Sequence, residues 1–101
     1  VFDGVADAVI AVDADLRIRF VNPAARELFG YSREELESFP IADVIPTYAE
    51  RARGYDGKSA IEAQGRHADG RAFPLEIAFG EGVDGERRRT IVIARDITQR
   101  K

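Results

Sequence analysis

The sequence predicts an α+β fold, with one five-stranded antiparallel sheet and short helices packed on one of its faces. Three observations carry this. Val9-Ile10-Ala11-Val12 and Thr90-Ile91-Val92-Ile93-Ala94, near opposite ends of the chain, are apolar on both faces of a strand, as expected of strands inside a sheet. Phe73, Leu75, Ile77 and Phe79 alternate strictly with Ala72, Pro74, Glu76 and Ala78 directly after an Asp69-Gly70 turn, the pattern of a half-buried strand leaving a hairpin. Between the first and last of these lie two short segments with explicit helix start and stop chemistry.

The elements follow in order. Phe2, Val5 and Ala6 recur at helical spacing and suggest a short amphipathic lead-in helix. The first strand runs over 9–12. Asp13-Ala14-Asp15 makes a turn, and Arg17-Ile18-Arg19-Phe20-Val21 alternates as a second strand with Ile18 and Phe20 on one face. Asn22 then suits an N-cap and Pro23 the first helical position, where its missing N–H is no loss. Ala24, Ala25, Leu28 and Phe29 form the apolar stripe, and Gly30 supplies the left-handed stop. Ser32-Arg33-Glu34-Glu35 is a capping box for a second helix, with Tyr31 and Leu36 at staple spacing.

Pro40 ends that helix. Asp43-Val44-Ile45 reads as a helical turn before Pro46, and Tyr48 to Arg53 as another. Strand character returns at Ala60-Ile61-Glu62-Ala63. Pro74 lacks a ladder donor, so it belongs near its strand's start or with its nitrogen facing away from a partner. Asp84-Gly85 gives the last hairpin turn, and Arg87-Arg88-Arg89 reads as a solvated loop. Setting the two doubly apolar strands side by side in the middle of the sheet buries both. The helices then cover one face, and the lead-in helix or a partner chain is left to cover the other.

At 101 residues, residues 1–101 form one domain: a lead-in segment at 1–7, a core at 8–98 and the start of an output linker at 99–101. Such a chain buries roughly 60–70% of the surface its unfolded form exposes. A start at Val1 reads as a piece of a longer protein. No apolar run approaches the roughly 20 residues that span a bilayer, so no membrane insertion by this chain is expected. The absence of Cys removes disulfides and thiolate metal sites and suits a cytoplasmic setting. A net charge of -3 argues against nucleic acid as a partner.

Four segments in order resemble the PAS domain family: Asp7-Ala8-Val9-Ile10-Ala11-Val12-Asp13; Val21-Asn22-Pro23-Ala24-Ala25 with Leu28-Phe29-Gly30-Tyr31-Ser32-Arg33-Glu34-Glu35-Leu36; Asp69-Gly70-Arg71-Ala72-Phe73-Pro74-Leu75-Glu76; and Arg95-Asp96-Ile97-Thr98-Gln99-Arg100-Lys101. The resemblance implies a PAS-like five-stranded sheet with the first and last strands adjacent at its centre. It also implies signal sensing, often as a homodimer, within a larger regulatory protein such as a sensor histidine kinase of a two-component system or a cyclic-dinucleotide enzyme, with an output domain after Lys101. Two positions depart from the pattern. Leu16 stands where the family often has Gly, a change expected to be tolerated locally. The stretch between Pro46 and Ser59 is shorter than in many relatives, where a long helix walls a ligand pocket, and this argues against a large cofactor.

The residues available decide most of the chemistry. Light-sensing relatives that bond a flavin need a Cys, which is absent, so covalent flavin is not expected. Oxygen-sensing relatives place a haem-ligating His on the wall helix, but Ala49-Glu50-Arg51-Ala52-Arg53-Gly54-Tyr55 holds none. The lone His67 reads as a solvent-exposed hairpin residue. Glu34 and Glu35 are first-turn residues favoured by the helix dipole, and Ser32 is a cap without a nearby base. No enzyme activity, metal or resident cofactor is therefore expected. Phe20, Leu28, Phe29, Ile45, Ile61, Ile77, Phe79 and Ile93 have the character to line an apolar pocket for a small ligand or non-covalent flavin between sheet and helices. Plain core packing is the favoured reading of all eight.

Asp96 and Thr98 sit where the last strand ends. Either side chain suits capping of a following helix, and Asp96 alternatively suits pairing with an Arg. Both arrangements would couple rearrangement of the sheet or dimer to an output helix. The first functional reading is thus a dimerising signal-transfer module; the alternative is a ligand-binding sensor.

Overall fold

The computed structural model describes residues 7–57 and 59–98. The lead-in helix expected from Phe2, Val5 and Ala6, and the linker at 99–101, lie outside the described residues. Five strands form one antiparallel sheet: β1 (Ala8–Val12), β2 (Ile18–Val21), β3 (Ile61–Arg66), β4 (Ala72–Asp84) and β5 (Arg87–Asp96). Their spatial order is β2-β1-β5-β4-β3. The first and last strands are therefore neighbours, with Ile10 opposite Val92, as burial of both apolar segments required. β5 is the middle strand.

Local chemistry sets the helices. The Asn22 side chain accepts the Ala25 N–H and starts α1 (Pro23–Phe29), with Pro23 inside the first turn. Gly30 closes it at φ +80°. A reciprocal Ser32–Glu35 capping box starts α2 (Arg33–Glu37). A 3₁₀ turn at Ile41–Asp43 and α3 (Tyr48–Arg53) follow. No described helix is long and apolar enough to cross a membrane.

One face of the sheet carries the core. Ile10, Val12, Ile18, Leu75, Ile77 and Val92 pack there against Phe29, Leu36, Ile41, Val44 and Ile45, all with no more than a trace of exposed surface. At roughly 1.5–3 kcal/mol for each large apolar side chain taken from water, this layer supplies most of the drive to fold. Pro74 sits where expected. It is third in β4, the β4–β5 pairing begins only at Leu75, and its carbonyl accepts the Ile97 N–H at 3.2 Å.

Two expectations are corrected. Ile18 and Phe20 do not share a face. The register slips between Ala11 and Val12, leaving Arg19 as an extra residue, so Ile18 points into the core and Phe20 is 50% exposed on the far side. On the far face of the doubly apolar strands Ile93 is 40% exposed among the described residues; the lead-in segment expected to cover that face lies outside them. Arg87–Arg89 form strand, not loop, because β4 continues through Gly80–Asp84 and pairs with them in a ribbon beyond the core.

Candidate functional site

Where the chain enters and leaves the sheet, four contacts meet. Asn22 does more than cap α1: its Oδ1 also accepts the Val9 N–H at 3.0 Å, and its Nδ2 donates to the Asp7 carbonyl at 3.0 Å. Entry strand, second strand and first helix are thereby tied through one side chain. Beside it, Arg95 Nε lies 3.4 Å from Asp7 Oδ1 and joins the last strand to the first.

The exit follows directly. Asp96 Oδ1 accepts the Thr98 N–H at 2.8 Å and the Thr98 hydroxyl at 2.5 Å. This is the self-contained turn that Asp and Ser/Thr side chains form with backbone two residues on. The neighbouring Arg95 turns to Asp7 and not to Asp96. Ile97, between them, is buried, and its N–H is held by Pro74. Pattern reading missed Ile97 as an anchor. A lone apolar residue in a polar stretch was its only signal.

An open cleft of about 660 Å³ adjoins this junction, lined by Asp7, Glu27, Leu28, His67, Arg71 and Asp96 among others. His67 is not the exposed hairpin residue expected. Its side chain is 21% exposed and packs so closely on Gly30 that a Cβ there would stand 2.5 Å from His67 Cε1. The Ala68 N–H bonded to the Phe29 carbonyl at 2.9 Å holds the same hairpin against α1. Asp69 beside it is held below the usual carboxylate range, first by the Arg71 N–H and then by the His67 and Arg71 charges.

The eight pocket candidates divide. Phe29, Ile45 and Ile77 have no exposed surface, and Leu28, Ile61 and Phe79 pack against the same core. Phe20 and Ile93 lie on the opposite face of the sheet. The bulge turns Phe20 outward, and Ile93 alternates with the buried Val92 and Ala94, so neither can line a pocket between sheet and helices. Among the described residues no group of three or more His, Cys, Asp or Glu is placed to hold a metal.

The model of the PAS fold matches residues 2–101. The cell-division control histidine kinase PdhS of Brucella abortus is 31% identical over 113 residues, spanning 100% of this chain and 11% of that kinase. This chain is thus about a tenth of the length of that relative. The PAS domain of a two-component sensor histidine kinase superposes with a TM-score of 0.75 at 26% identity, over 89% of this chain and 84% of that one. A PAS domain from Colwellia psychrerythraea gives 0.74 at 27% identity, over 97% and 92%.

Proposed function

The chain belongs to the PAS fold family of sensory, non-catalytic modules, and on that premise we propose that it is a signal-transfer domain of a larger cytoplasmic regulatory protein. It acts as a homodimer and passes its state through Asp96-Ile97-Thr98 to an output domain beyond Lys101. The likeness to PdhS and to sensor histidine kinase domains favours a kinase of a two-component system over a cyclic-dinucleotide enzyme as that output.

One observation carries the reading. The middle strand of the sheet ends in a turn closed by its own side chains and pinned by a buried Ile97. A shift of β5 relative to β1 or β4 must therefore move the backbone at Thr98, with no slack segment to absorb it. Ligand sensing in the core is the weaker reading, because Phe29, Ile45 and Ile77 are already packed. The test uses the full-length protein carrying Asp96→Ala or Thr98→Ala. Basal output or its response should change while thermal unfolding of the domain stays within a few degrees. Unaltered output from folded variants would overturn the proposal.

A further inference from the structure

His67 is the single imidazole of a chain without Cys, and an imidazole is the side chain whose charge ordinarily changes between pH 5 and 8. Signal transfer through Asp96-Ile97-Thr98 makes no use of it. Its ring nonetheless stands against the end of α1, in the cleft that also reaches Asp96.

The bonds of that ring depend on its protons. His67 Nδ1 accepts the Asp69 N–H at 3.2 Å, which needs a free lone pair on Nδ1 and so places the ring proton on Nε2. Asp69 Oδ1 lies 3.3 Å from the same Nδ1. A second proton turns Nδ1 from acceptor to donor. The Asp69 N–H then loses its partner. The Asp69 carboxylate, already accepting the Arg71 N–H at 2.9 Å, becomes the acceptor for Nδ1. One turn geometry cannot serve both forms of the ring.

The charges around it come from three elements. Asp69 and Arg71 belong to its own hairpin, Glu27 to α1, and Asp7, Arg95 and Asp96 to the strand ends. Arg71 lies 3.6 Å from Asp69 and Arg95 3.4 Å from Asp7, so each nearby cation is offset by a carboxylate.

The turn cannot adjust alone. The ring fills the space over Gly30, and the Ala68 N–H is bonded to the Phe29 carbonyl, so a tilt of the ring bears on the end of α1. On the other side, the Arg71 carbonyl accepts the His67 N–H at 2.8 Å, and β4 begins with the next residue, Ala72. Two residues further on, the Pro74 carbonyl holds the Ile97 N–H. A short stretch of strand thus joins hairpin and exit turn.

We propose that His67 makes the exit turn at Asp96-Ile97-Thr98 responsive to pH: protonation exchanges one bond at Asp69 for another, shifts the hairpin against α1 and the start of β4, and so alters the output. The inference rests on the signal-transfer reading above and adds a stimulus to it.

Two measurements test it between pH 5 and 8, the range in which an imidazole ordinarily titrates. In NMR spectra of the chain, the amides of Ala68, Asp69, Ile97 and Thr98 should shift with the same midpoint as the imidazole Cε1–H. His67→Gln, which takes up no proton, should hold those amides still. Output is read as the ratio of parent to His67→Gln full-length protein at each pH, which cancels the output domain's own pH dependence. That ratio should change about fivefold or more, the lower end of coupling between sites. Asp69→Asn, at a side chain 56% exposed, should move the midpoint to lower pH, because the cation loses its carboxylate. Thermal unfolding checks that both variants fold, and the same ratio taken with Asp69→Asn carries the test should His67→Gln not fold. An imidazole that titrates while the Ile97 and Thr98 amides stay still, or an output ratio constant across the range, would overturn the inference. Asp96→Ala separates the two readings. If it alters output while the ratio stays constant, the proton input alone fails; if it too leaves output unchanged, signal transfer through the exit turn fails with it.

Discussion

His67 occupies the space that a side chain at Gly30 would need: Cε1 and Nε2 would lie 2.5 and 2.6 Å from a Cβ built there. Gly30 also sits at φ +80°, where a residue with a Cβ costs roughly 1–2 kcal/mol. Strain and overlap therefore act together. Gly30→Ala should destabilise the domain by about 3 kcal/mol, summing that strain and the ~1–3 kcal/mol of an overpacked contact. His67→Ala in the same chain should recover the overlap part alone. A double-mutant cycle by urea unfolding measures the coupling, and a coupling near zero would show that the imidazole does not rest on Gly30.

Leu16 presents the reverse case. It is the one described residue other than Gly with positive φ, at 63°, and it is 45% exposed. Its N–H donates to Asp13 and its carbonyl accepts from Ile41, so the turn is fixed by backbone bonds that any residue can make. Leu16→Gly should therefore stabilise the domain by up to about 1 kcal/mol, the left-handed strain relieved less the flexibility added to the unfolded chain. The thermal midpoint should rise by a few degrees. A fall would mean that the Leu16 side chain contributes more packing than its conformation costs.

Asn22 holds three backbone groups at once, the N–H groups of Val9 and Ala25 and the carbonyl of Asp7. Asn22→Ala removes the α1 cap, worth about 1 kcal/mol, and strips a partner from the Val9 N–H, worth about 1–3 kcal/mol when buried. A loss of about 2–4 kcal/mol is expected in chemical denaturation. Asn22→Ser keeps a cap oxygen but cannot span to Asp7, and should fall between. Equal losses for both variants would show that only the longer contacts matter.

The parts legible in the sequence are those whose cause is local. The Asn22-Pro23 and Ser32-x-x-Glu35 starts, the Gly30 stop and the alternation from Phe73 to Phe79 all hold, because caps and pleats involve residues a few positions apart. The bulge at Arg19 is set by how β2 meets β1, and nothing between Arg17 and Val21 announces it, so simple alternation puts Phe20 on the wrong face. The ribbon of Gly80–Asp84 with Arg87–Arg89 extends past the core and carries no burial pattern to read. At the exit, Asp96 and Thr98 were legible as a pair. The anchoring of Ile97 was not, since its partner Pro74 lies on another strand.

Asp13 closes the first turn and should make stability depend on pH in a definite direction. Its Oδ1 accepts the N–H groups of Asp15 and Arg17 at 2.9 and 3.0 Å, and Oδ2 meets Arg19 Nε at 2.6 Å. Its side chain is only 9% exposed. The Arg17 N–H is the largest cause holding this group below the usual carboxylate range; burial opposes it, and the Arg19 guanidinium adds to it. A lowered folded value means that the folded state binds the proton less readily than the unfolded one. The stabilisation is therefore complete above the unfolded value of about 3.9 and is lost as pH falls through the folded value. Asp13→Asn keeps an acceptor oxygen for the two N–H groups and removes the charge. Parent and variant should differ in thermal midpoint at pH 6–7, with the parent higher; the gap should start to narrow below the unfolded value of about 3.9 and close as pH falls through the lowered folded value, where the parent carboxyl protonates. Asp69, also lowered, titrates in both proteins and cancels from the difference. A gap that persists undiminished to pH 2 would show that shape at Asp13, not charge, holds the turn.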